Sequence, residues 1–127
     1  YIQRNAVQSE SRTHGFFYQP ESALSGILGL PIIGGDSQRP TAAVKYLRNK
    51  NLQLSDMGLL VSSPNTNLND HCQASCVDWY GNARPIFIGK RVYALMGYEL
   101  VEGRVLGDSI VEQRRLNFNP ITHSATR

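Results

Sequence analysis

His14, His71 and His123 are the only imidazoles in the chain, and so its only histidine candidates for general base. Serines are plentiful, and Asp56, Asp78 or Asp108 would orient a histidine if the fold brought the two together. A nucleophilic serine in an α/β-hydrolase sits in a Gly-x-Ser-x-Gly turn, and no such turn occurs here. Each histidine therefore reads as a loop or surface residue, and His123 falls in a polar tail. The sequence assigns no catalytic set, and it predicts a protein that is not an enzyme.

Cys72 and Cys76 lie four residues apart in a segment that begins at His71. The spacing is neither the Cys-x-x-Cys of thioredoxin-like sites nor the Cys-x-x-Cys-His of covalent haem attachment. A disulfide closing a small loop ranks first, ahead of reduced buried thiols and of metal ligation, and it implies an oxidising compartment. Zinc on His71, Cys72 and Cys76 would need a fourth ligand such as His14, and adjacent His71 and Cys72 would strain a tetrahedral site. Asn65, Asn67 and Asn69 alternate like the first oxygen ligands of a calcium loop. The sixth position is Asp70 where an EF-hand needs Gly, and the twelfth is Cys76 where it needs Glu. Weak calcium affinity is all that this run retains, so no resident metal or cofactor is predicted.

Glu99 and Glu102 are close in sequence, with Asp108 and Glu112 further on. On an alternating strand Glu99 and Glu102 point to opposite faces, which argues against a glycosidase pair. They read as solvated edge charges that discourage aggregation. Among the aromatic residues, Phe16, Phe87 and Tyr93 are expected in the core. Trp79 and Tyr80 sit beside a turn and are the candidates for stacking on a sugar ring or gripping a protein partner.

The elements that must carry these groups are short. Eleven glycines and six prolines punctuate brief apolar segments, as in a turn-rich β protein. Residues 15–18 are aromatic and strand-like, and residues 25–33 read as a buried strand with two internal glycines. Residues 34–40 read as a loop. Residues 41–49 fit a helical face or a strand, and strand is preferred because residues 52–61 alternate and then run apolar. Residues 62–70 are the most loop-like stretch. Residues 82–118 contain three apolar segments between glycine-containing turns, each long enough to cross a small sheet. An offset of 48 residues brings Val44 onto Val92, Leu47 onto Leu95 and Leu52 onto Leu100, while Gly58 and Gly107 match at 49. A period of 40–50 residues is what a four-stranded propeller blade occupies.

At 127 residues the chain is large enough for one domain with its own core. Its net charge of +3 is spread along the sequence, densest at Lys90-Arg91 and Arg114-Arg115, without the basic cluster of a nucleic-acid binder. The longest apolar stretch, residues 26–34, is too short to span a bilayer and contains Pro31. The chain starts at Tyr1 instead of Met, which suggests a segment of a longer precursor.

Residues 76–88 and 91–103, with residues 13–18 and 26–32, resemble the C-terminal part of secreted bacterial β-propeller-domain proteins. The resemblance covers residues 13–118, and its motifs are strand patterns without catalytic signatures. It implies an all-β fold of antiparallel, propeller-blade-like sheets forming part of a propeller, with a β-sandwich as the alternative. Residues 1–12 would be an arm and residues 119–127 a tail. Propellers close with about four to eight blades, so two or three blades need neighbours. The expected partners are a companion segment of the same precursor or identical copies, or else a surface polysaccharide or protein, with no nucleic acid and no membrane span. The expected role is a structural or interaction module of a secreted or cell-surface protein. The alternative is a segment of a secreted propeller enzyme whose active site lies mostly elsewhere.

Overall fold

The computed structural model describes residues 1–8, 15–36, 39–63 and 83–118. The strands are β1 (Val7–Gln8), β2 (Phe17–Ser22), β3 (Ser25–Asp36), β4 (Arg39–Lys50), β5 (Gln53–Val61), β6 (Arg84–Ile88), β7 (Arg91–Met96), β8 (Glu99–Leu106) and β9 (Ser109–Asn117). The protein is all-β, and its strands form two antiparallel sheets. In the first, β2, β3, β4 and β5 form a meander, and β1 pairs with β3 beyond the end of β2. In the second, β6, β7, β8 and β9 form a meander of the same order.

Residues 41–49 lie within β4, in line with the strand preference. The expected loop over residues 34–40 is corrected at 34–36 and 39–40, with residues 37 and 38 outside the described ones: β3 runs through Asp36 and β4 begins at Arg39, so the glycines of that stretch are paired backbone. The second sheet also has one strand more than the three apolar segments suggest. Three of its turns place a glycine at φ near +60°, at Gly89, Gly97 and Gly107. That is the first central position of a type II′ hairpin, where a side chain would be strained.

The sheets stack face to face, with β3 over β6, β4 over β7 and β5 over β9. Alternation along each strand sends Ile27, Val44, Tyr46 and Leu60 from the first sheet, with Met57 at its bulge, into one core. They meet Val92, Ala94, Met96, Val101 and Ile110 from the second. The approach is closest where side chains are missing. A Cβ on Gly29 would collide with Pro85, and Gly58 and Gly103 both accommodate Ile110. Register shifts accompany the last two, at Tyr46/Leu47 opposite Gly58 and at Glu102/Gly103. Such bulges increase local twist and let β5 wrap onto β9.

The offset of 48 residues is not a repeat of the sheet. It maps β4, third in its meander, onto β7, second in its own. Val44 and Val92 share an environment because β4 lies over β7 and both side chains enter the core.

Candidate functional site

Cys72, Cys76, Trp79 and Tyr80 lie outside the described residues, as do His14, His71, His123, Asp78 and the run from Asn65 to Asp70. The other sequence candidates are placed. Phe87 packs against the core, meeting Tyr46 edge-on at 6.2 Å. Phe16 is exposed, and Tyr93 is half-buried with its side chain on the outer face of the second sheet, so both core expectations are corrected. Alternation explains Tyr93: its neighbours Val92 and Ala94 take the inward positions.

Glu99 and Glu102 do lie on opposite faces, but Glu99 is not a solvated edge charge. It is only 2% exposed, on the inner face beside Met96. Arg115 Nη1 donates to Glu99 Oε2 at 3.0 Å, and the Ser63 backbone N–H donates to the same oxygen at 2.8 Å. Arg115 also donates through Nη2 to the Val61 carbonyl at 2.8 Å and to Glu112 Oε2 at 2.7 Å. This cluster ties the two sheets at one end. At the other end Arg48, likewise buried, pairs with Glu21 and donates to the Gly107 carbonyl at 3.0 Å, while Lys50 pairs with Asp108 at 2.9 Å. The inner-face charges thus serve as inter-sheet clamps.

Lys45 is buried on the opposite face of β4 and bonds Asp56, with the Tyr1 ring 5.7 Å away. Desolvation works against its ammonium, but hydrogen bonds and charge from Asp56 and Tyr1 prevail and raise its pKa. The Tyr1 hydroxyl donates to Asp56 at 3.1 Å, so the start of the chain lies across β4 and β5 before β1 reaches the edge of β3.

The outer face of the second sheet has a different character. Register places Arg84, Leu95, Leu100 and Leu116 in one cross-strand row, and Ile86, Tyr93, Glu102 and Arg114 in the next. The third row holds Ile88, Arg91, Arg104 and Val111. Leu116, Ile88 and Val111 are exposed, while Leu95 and Leu100 are half-buried. Arg91 pairs with Glu102 at 2.8 Å and lies over Tyr93. Among the described residues Arg84, Arg104 and Arg114 form no ion pair, so arginines scattered in sequence converge on one face. Only strand register brings them together: Arg84, Arg91, Arg104 and Arg114 lie on four different strands, and no polar–apolar alternation along β7–β9 marks their face in the sequence.

A cleft of about 470 Å³ opens between the sheets beside β2, lined by Ile27, Phe87, Val92 and Val105 with Glu21 and Lys90. Among the described residues no group of three or more metal-ligating side chains gathers, and no helix is long and apolar enough to cross a membrane. Comparison with protein-family models, with curated proteins and with solved structures yields no match.

Proposed function

We propose that the chain is a non-enzymatic interaction module of a secreted or cell-surface protein, and that it assembles through the outer face of its second sheet. The observation that supports this is the row Leu95, Leu100 and Leu116, which presents aliphatic side chains on a face turned away from the core. A sheet face with such a row gains free energy when a second sheet covers it. The occupant is an identical copy or a companion sheet of the same precursor, stacked as the two sheets of this chain already are. A twofold axis along the row overlays the leucines of two copies. It sends the Arg91 and Arg104 ends of the two copies to opposite sides, so those arginines do not meet, while Arg84 at the end of the row faces its own counterpart.

The matching order of the two meanders agrees with a blade pair from a larger ring, which is the reading under which a companion sheet exists. Sedimentation velocity on the isolated chain tests the proposal. The expected result is reversible, concentration-dependent self-association that Leu116→Lys abolishes without unfolding the protein.

A further inference from the structure

One end of the stacked sheets is built from four hairpin turns, at residues 23–24, 51–52, 89–90 and 107–108. They are joined to one another. The Asn51 N–H donates to the Leu24 carbonyl at 2.7 Å, Lys50 reaches Asp108 at 2.9 Å, and Glu21 and Lys90 line the same cleft. Turn tips normally carry polar residues. Here Leu24 is 58% exposed, Leu52 88%, Ile88 62% and Leu106 48%, so an aliphatic side chain projects at or beside every turn.

Leu52 is the most informative of the four. Both central residues of its turn have positive φ, 53° at Asn51 and 66° at Leu52. That turn favours Asn-Gly, and a leucine there is strained. With 88% of its surface in solvent, Leu52 recovers little from contacts within the chain. Strain kept at an exposed apolar tip points to something outside the chain that the tip engages.

The charge around the tips selects the partner. Arg48, Lys50, Lys90, Arg91 and Arg104 lie at this end, against Glu21, Glu102 and Asp108, each of which is already ion-paired. Lys90 and Arg104 form no ion pair among the described residues. Separated aliphatic tips flanked by two cations without an acidic partner among the described residues, Lys90 and Arg104, match an anionic lipid surface, which accepts protrusions at the depth of its headgroups without a shaped socket. We propose that this end docks the protein on anionic membranes, with Leu24, Leu52, Ile88 and Leu106 entering the interface and Lys90 and Arg104 facing the headgroups. The docking is peripheral and independent of the leucine row on the second sheet.

Co-sedimentation with phosphatidylcholine vesicles, with and without phosphatidylserine, tests it. The expected result is partitioning onto the phosphatidylserine vesicles that weakens as salt is raised. Leu52→Gly relieves the strained φ, so the fold survives or gains stability while vesicle binding falls several-fold. Paired Ile88→Ser and Leu106→Ser changes, with folding followed by circular dichroism, supply a second reading of the same loss. The proposal is overturned if the wild type stays in solution with both vesicle types, or if these variants bind as the wild type does. It is also overturned if Leu52→Gly abolishes self-association in solution, which would assign the tips to a protein partner. Leu116→Lys leaves vesicle binding intact, which separates this proposal from assembly through the outer face.

Discussion

The hydroxyl of Tyr46, a residue with no exposed surface, donates a 2.7 Å hydrogen bond to the carbonyl of Tyr93 in the opposite sheet. It links the centre of β4 to the centre of β7, and burial raises the phenol's pKa, so the hydroxyl keeps its proton at any ordinary pH. The ring also meets Phe87 edge-on, so one side chain supplies both packing and polar registration of the sheets.

Tyr46→Phe keeps the ring and deletes the donor. The expected loss is about 1 kcal/mol in urea denaturation, with an unchanged slope because the surface exposed on unfolding is the same.

The clamp at Glu99 responds asymmetrically. Arg115→Ala leaves a carboxylate that is 2% exposed without its cation, and the expected cost is about 3 kcal/mol. Glu99→Gln removes the buried charge itself, still accepts from the Ser63 N–H, and costs less. Equal losses in the two variants would contradict the clamp.

Acid weakens the fold in a defined window. The hydrogen bond from Arg115 holds the Glu112 carboxyl below its ordinary 4.5. At Asp56, desolvation pushes upward, but bonds from Lys45, the Gly58 N–H and Tyr1 prevail, and the carboxyl lies below its ordinary 3.8. A carboxyl lowered in the folded state adds stability above its unfolded pKa and loses it as pH falls through the folded one. The urea midpoint is therefore expected to hold from neutrality down to about pH 5 and to fall below about pH 4. Asp56→Asn should flatten part of that slope.

Close approach of the sheets has its own test. Gly58 has φ of 119° and sits 3.2 Å from the Ile110 carbonyl, measured from an added Cβ. Gly58→Ala is expected to lower stability by about 1–3 kcal/mol through backbone strain alone. Gly29→Val, which drives a larger group into Pro85, should lower the melting temperature further.

The all-β class and most strands were legible because glycine turns and short apolar runs are local signals. The two faces of β7 and β8 were half legible. Alternation separated Glu99 from Glu102, but nothing local showed that the face of Glu99 would be covered by the first sheet, or that Arg115 and Ser63 would meet it there. The same limit misplaced Tyr93, whose aromatic character suggested the core while its register assigned the outer face. Gly34 and Gly35 looked like loop because glycine in a long paired strand is indistinguishable from glycine in a turn until its partner strand is known. The arginine face and the leucine row are products of pairing between β6, β7, β8 and β9, so composition alone shows only scattered charge. The burial of Lys45 and Arg48 is invisible in composition for the same reason.

Assembly through the outer face of the second sheet is tested by sedimentation velocity of the wild type beside Leu116→Lys. The expected result is a reversible dimer or larger species for the wild type at micromolar concentrations and a folded monomer for Leu116→Lys. A wild type that remains a compact monomer across that range, or a Leu116→Lys variant that associates equally well, would contradict it.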